Sequence, residues 1–385
     1  MRTYLLGIAL LITHTLVAQQ NKPVKKLDGS TIAGEILTGQ IAHIVDTAGI
    51  VGLSVAIIND GNIIYKKTFG LKKKETNAIL DDSTEMYAAS FTKPLSAYLF
   101  LKLADKGIFN LDTPLYKYLK QPIGAYEKWQ DLANDPGFKK ITPAMILSHS
   151  SGLPILRYLY NNKLNLIAEP GAKFYYSNEG MNLLGFVIEE YTGKKLHELA
   201  TAYIFEPLSM KHTGMVWQQA FDANYALGYS KTAEVLGMPQ ASNAKAAGSM
   251  TTIAGDYAKF VTALMERKGL SSNLFDKMLS PHIKIISNKG FGPQRDSLTN
   301  KYDKWKLSWG LGVGLFQSTY GKAFFHTGHG DGWQNYFVAY PGKKIAIVLM
   351  SNSDNFEHAG GALLKLCIGD TVSPLEWLGY YDNNN

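Results

Sequence analysis

Ala89-Ser90-Phe91-Thr92-Lys93-Pro94-Leu95 is the stretch whose reading decides this chain. A serine and a lysine three residues apart share one helix face, one turn from each other. Leu95, Tyr98, Leu99 and Leu103 recur at helical spacing after them. Pro94 falls in the first turn, where a missing N–H costs least, and Gly107 supplies a stop. The pattern predicts a helix with Ser90 at its N-terminus, where the positive end of the dipole favours developing negative charge. A serine hydroxyl is a weak nucleophile until a neighbouring base takes its proton. A lysine can be that base if its surroundings depress its pKa. A helix-capping serine gives the same local pattern, and Ser242-Asn243-Ala244-Lys245 repeats the spacing in a stretch with no apolar period.

Two further motifs separate the candidates. Tyr176-Ser177-Asn178 follows the Glu169-Pro170-Gly171 turn and precedes Leu183, Leu184, Phe186, Val187 and Ile188, an apolar helix closed near Gly193. A tyrosine at such a junction can point into a cleft, although a core tyrosine bonded to backbone is the commoner fate. Tyr160-Asn161-Asn162 and Tyr381-Asp382-Asn383 are decoys, the second in a polar tail. His326-Thr327-Gly328 follows Ala323-Phe324-Phe325 and leads through Gly330 and Gly332 into Tyr336–Tyr340, a Pro341-Gly342 turn and Ile345–Met350. That reads as a strand, a glycine-rich bend and a hairpin. An edge strand of this kind beside the nucleophile can donate a backbone N–H to an oxyanion. His212-Thr213-Gly214 repeats the triplet in an irregular region.

The ordered set of Ser-x-x-Lys, Tyr-x-Asn and His-Thr-Gly resembles the class C β-lactamase and DD-peptidase group of serine hydrolases. Leu147-Ser148-His149-Ser150-Ser151-Gly152-Leu153, the segment Pro170 to Asn178, and Ala246 to Thr252 with Asp256 are similar to three more segments of that group. The resemblance implies an α/β (α+β) fold: an antiparallel β-sheet flanked by helices, an all-helical subdomain, and a site in the groove between. It implies Ser90 as acylated nucleophile, Lys93 and Tyr176 as the proton-handling pair, and Asn178 orienting Lys93 and the substrate amide. Which of Lys93 and Tyr176 is the base stays open. His326, Thr327, Gly328 and His329 are placed on the substrate side, with the backbone N–H groups of Ser90 and His329 as the oxyanion hole. The group's lactamases carry Lys-Thr-Gly where this chain has His326-Thr327-Gly328. A neutral imidazole holds a β-lactam carboxylate less well than an ammonium, and a protonated one substitutes in part. Small esters, D-amino-acid peptides and β-lactams are all within the implied range. A non-catalytic cell-wall binder is the alternative from another class.

Composition adds bounds. Met1 to Ala18 has a basic start, a short apolar core and a small residue at the break, which reads as a signal peptide and an exported, periplasmic or secreted, protein. An uncleaved N-terminal anchor is the alternative, although the run is short for a membrane span. The body, 19–385, reads as one hydrolase domain, its sheet drawn from about 30–95 and 240–385 and its helical subdomain from about 96–239. The predicted hairpin Gly52–Ile58 and Ile63–Tyr65 turns at Asp60-Gly61. Helices are expected over Ile36–Ala48 and Gly360–Ile368. The single cysteine, Cys367, excludes an intramolecular disulfide. The net charge of +7 suits anionic wall polymers. No nucleic-acid module, metal cage or cofactor fingerprint is legible. The expected partner is a small molecule or peptide, with cell-wall peptide among the candidates.

Overall fold

The computed structural model describes residues 23–380. The expected signal segment, Met1 to Ala18, and the Tyr381-Asp382-Asn383 decoy lie outside the described residues. Helix α1, Gly34–Thr47, buries Leu37, Ile41 and Val45, one stripe at helical period. The hairpin follows as β1, Gly52–Asn59, and β2, Asn62–Lys73. Asp60 and Gly61 both take positive φ at its turn, the backbone that a two-residue hairpin requires. A short β3, Ala78–Ile79, pairs with β2.

A 3₁₀ turn, Ala89–Phe91, then runs into α2, Thr92–Asp105. Ser90 sits in that turn, just ahead of the α-helix. All of Thr92 to Leu101 is buried, so α2 runs through the core instead of lying on it. The intervening region is mostly short helical turns and loops around α3, Asn178–Thr192. It also carries a small ribbon, Gly228–Tyr229 with Val235–Gly237. Helices α4, Ala254–Met265, and α5, Ser272–Met278, lead back to the sheet.

The remaining strands are β4 Ile283–Lys284, β5 Ser308–Trp309, β6 Gly314–Ser318, β7 Gly321–Gly330, β8 Trp333–Tyr340 and β9 Ile345–Ser351. They join β1–β3 in one nine-stranded antiparallel sheet, ordered β4-β5-β6-β7-β8-β9-β1-β2-β3. Strands from the early and late parts of the sequence therefore meet at the β9–β1 pairing, as expected. Both β8 and β9 are buried along their whole length, because the sheet is covered on both faces. On one face α1 and α6, Phe356–Ile368, pack on Val55, Ile57, Val338 and Ile347. On the other, α2 and α4 pack on Ala56, Ile58, Phe337 and Val348.

Strand β7 changes character halfway. β6 pairs only with Gly321 to Phe325. From His326 onward that side of β7 is open, and the Tyr87–Ala89 segment fills it. A Cβ on Gly328 would lie 2.5 Å from the Ala88 carbonyl oxygen, and one on Gly330 would lie 3.0 Å from the Tyr87 ring. These glycines are there for close approach. Asn335 on β8 donates Nδ2 to the Tyr87 carbonyl at 3.1 Å. Thr92 completes the clamp: its hydroxyl donates to the Ala89 carbonyl at 2.7 Å and accepts from the Met250 N–H at 3.1 Å, both buried.

Thr92→Val keeps the shape and removes both bonds. We expect it to lower stability by about 1–3 kcal/mol, since a buried donor and a buried acceptor lose their partner. Urea denaturation checks this; a midpoint equal to wild type would show that the clamp contributes nothing.

Candidate active site

The turn, α2, α3 and the open half of β7 converge on Ser90. Ala89, immediately before it, is held at φ 46, a left-handed conformation that costs a non-glycine residue about 1 kcal/mol or more. The strain presents the half-buried Ser90 hydroxyl at the sheet edge. Lys93 is 0 % exposed. Its Nζ lies 2.8 Å from Ser90 Oγ and 2.7 Å from the Ala247 carbonyl oxygen, and sits 4.7 Å from the centre of the Tyr176 ring. Neither hydrogen-bond partner is an acid. Burial without a counter-charge holds the Lys93 ammonium pKa well below its ordinary value. The same burial pushes the Tyr176 phenol well above its usual range, with the Ser90 hydroxyl opposing in part. Both groups are therefore driven toward their neutral forms.

Tyr176 enters from the segment before α3. Ser177 caps that helix: its Oγ accepts from the Gly180 N–H at 2.8 Å and donates to the Pro154 carbonyl at 2.8 Å. Asn178 is the first helical residue, and its buried Oδ1 has no hydrogen-bond partner. The expected Asn178–Lys93 contact is replaced by the Ala247 carbonyl. One turn along α3, Asn182 Oδ1 accepts from the Ala247 N–H at 3.2 Å and holds that carbonyl in place.

His326 is fully buried on the face of β7 that looks toward Tyr176, with ring centres 6.1 Å apart. Its Nδ1 donates to the Thr327 carbonyl at 2.6 Å, so Nε2 is a bare acceptor, and that atom has no partner. Burial first, and then the nearby Lys93, depress its pKa to about 3. His326 is thus a neutral acceptor, which removes the expectation that it stands in as a cation. Strand alternation turns Thr327 to the other face. Its hydroxyl contacts Tyr380 Oη at 2.7 Å and donates to the Asn335 carbonyl at 3.1 Å, so it does not line the site with its side chain as expected. Gly328 packs on Ala88, and the His329 side chain is exposed beside Gln334.

His149 is a site neighbour that the motifs did not single out. Held at φ 55 and fully buried, it packs with its ring tilted against Tyr176, centres 4.3 Å apart. The Ser177 N–H donates to its Nδ1 at 3.2 Å, which leaves the proton on Nε2, and Nε2 has no partner. Burial, then the proximity of Lys93 and His326, depress its pKa well below the ordinary range. Trp309 packs against both imidazoles, at 5.3 and 5.4 Å. Four buried polar atoms around Tyr176 thus stand unpaired: Tyr176 Oη, Asn178 Oδ1, His149 Nε2 and His326 Nε2. Such groups are costly unless something polar meets them, and here both imidazoles lie close to the Tyr176 ring.

The decoys lie elsewhere. Ser242 is exposed and bonded to Asn243, His212 pairs with Glu85 at 2.9 Å, and Tyr160 bonds Arg295. Among the described residues no cluster of His, Cys, Asp and Glu is arranged to hold a metal ion, and no helix is long and apolar enough to cross a membrane.

This fold, with a serine–lysine pair at its centre, is that of a serine hydrolase family. The chain belongs to the Beta-lactamase family, whose profile matches residues 37–368. It is 26% identical to Protein flp of Staphylococcus aureus (strain MW2) over 205 residues, 49% of this chain and 40% of that protein. It thus spans less than half the length of that relative. It is 25% identical over 301 residues to the putative penicillin-binding protein PbpX of Bacillus subtilis (strain 168), covering 73% of each. The octameric penicillin-binding protein homologue from Pyrococcus abyssi shares the fold, with TM-score 0.68 and 24% identity over 83% of this chain and 74% of that one. So does the D-alanine carboxypeptidase AmpC from Burkholderia cenocepacia, with TM-score 0.66 and 20% identity over 83% and 93%.

The buried imidazoles make stability depend on pH. In the unfolded chain a histidine takes a proton below about 6.5, whereas folded His326 takes one only near about 3. Between those values unfolding binds protons, so the contribution of His326 is full above pH 6.5 and falls as pH drops. The slope is about 1.4 kcal/mol per pH unit for each such histidine. Denaturation of wild type and His326→Gln from pH 7 to pH 4 should give a shallower loss in the variant; parallel curves would show that His326 takes a proton in the fold at ordinary pH.

Proposed function

We propose that this chain is an exported serine hydrolase that acts through an acyl-enzyme on Ser90. The observation that carries the reading is the 2.8 Å contact between Ser90 Oγ and a lysine amine stripped of both water and counter-charge. A neutral amine accepts the serine proton as Oγ bonds to the substrate carbonyl carbon. The proton then passes to the leaving group, with the neutral Tyr176 phenol as relay. Water reverses the sequence and frees the acid. The backbone N–H groups of Ser90 and His329 receive the oxyanion, a contribution typically worth on the order of 10²–10³ in rate per donor. Asn178 and the Gly328 backbone orient the substrate amide or ester.

Substrate preference follows from His326. A neutral acceptor gives a carboxylate no ion pair at the third motif. That disfavours β-lactams most, favours uncharged small esters, and leaves D-amino-acid peptides between them. Tyr176 and Lys93 are intact and in contact, which weighs against a non-catalytic wall binder. The pattern of Met1 to Ala18 supports export to the periplasm or medium, where cell-wall peptide is within reach and the +7 charge suits anionic polymers.

The test is intact-protein mass and turnover with p-nitrophenyl acetate and a penicillin, on wild type and Ser90→Ala. Wild type should release nitrophenol and show a transient adduct. Ser90→Ala should lose at least about 10³-fold in turnover with no adduct. Equal turnover by the variant removes Ser90 as nucleophile, and faster consumption of penicillin than of ester reverses the substrate order.

A further inference from the structure

A cavity of about 650 Å³ lies between the α5 end of the fold and the sheet, and shares no lining residue with the serine site. Its volume is in the range of pockets that bury small ligands. Strand register decides its floor: Ser308 pairs with Leu315, and Leu315 with Phe324, so these three side chains present one face together. Leu315 and Phe324 make that floor apolar. Ser308 is 4 % exposed, and its buried hydroxyl has no hydrogen-bond partner. A hydroxyl left unpaired inside an apolar wall carries a desolvation cost, which a polar ligand atom would recover.

The rim is cationic. Lys306, Lys322 and Arg267 line the mouth, with Asp276 as the single carboxylate. Arg267 is already bound to Asp276 at 2.6 Å. Among the described residues Lys306 and Lys322 make no ion pair, so two positive charges remain to face an occupant. Lys306 is held at φ 48, which fixes the backbone from which its side chain leaves.

We propose that this cavity binds an amphipathic anion, a carboxylate carrying an acyl chain. The chain lies on Leu315 and Phe324, the Ser308 hydroxyl meets a polar atom of the ligand, and the carboxylate reaches Lys306 and Lys322. The assignment is independent of what Ser90 does.

Isothermal titration with decanoate below its micellar concentration tests it. Wild type should bind one equivalent saturably, and the Lys306→Glu/Lys322→Glu variant should bind at least about tenfold more weakly. Ser308→Leu, which fills the floor, should abolish binding while leaving the thermal unfolding transition cooperative. Decyltrimethylammonium, the same chain with a positive head, should bind at least about tenfold more weakly than decanoate. No saturable binding, equal decanoate affinity in the charge-reversed variant, or equal affinity for the cation overturns the proposal. Binding in the serine site would leave the charge-reversed variant unaffected and is excluded by the same comparison.

Discussion

Everything at this site depends on the removal of Lys93 from water without the gift of an acid. An ammonium in a low-dielectric interior is expensive, and a protein commonly answers by letting the group lose its proton. The Ala247 carbonyl takes one N–H and Ser90 stands within hydrogen-bond reach of the same nitrogen, so the amine is held between them and aimed at the serine. A carboxylate in place of that carbonyl would have kept the lysine charged and the serine idle. The burial of α2 from Thr92 to Leu101 is the structural means: a helix running through the core carries its lysine into the core with it.

The cost of this arrangement is spread over the surrounding shell. Ala89 and His149 are both held in left-handed backbone, and each is fixed by tertiary contacts instead of by its own preference. His149 and His326 carry their protons on opposite nitrogens, one set by the Ser177 N–H and the other by the Thr327 carbonyl. The result is an unpaired donor and an unpaired acceptor near Tyr176. A substrate carbonyl, ester oxygen or amide entering there meets groups already oriented and already desolvated, which is the condition for charge stabilisation without reorganisation.

Much of the frame was legible because local rules dominate it. The Asp60-Gly61 turn, the stripe of α1 and the β8–β9 hairpin follow from residue conformation and period. The Ser90–Lys93 pair follows from helix geometry alone. The buried status of Lys93 was not readable, since it depends on α2 being covered by α4 and the sheet, contacts remote in sequence. Thr327 was misplaced for a simpler reason: in a strand the neighbour of an inward residue faces outward, so His326 and Thr327 cannot both look at the serine. His149 was visible only as part of a matching segment. Its pairing with Ser177 is a long-range contact, and the signal that would have found it is a buried-type histidine flanked by Ser148, Ser150 and Gly152, a turn that needs unusual backbone.

The central claim is that the fold drives Lys93 toward the free amine. The most direct measurement is a ¹⁵N NMR titration of the lysine Nζ resonances, with Lys93 assigned by its loss in Lys93→Met. The account predicts an amine that titrates well below the ordinary lysine value. An ammonium that persists to pH 10 would contradict it and return the role of base to Tyr176.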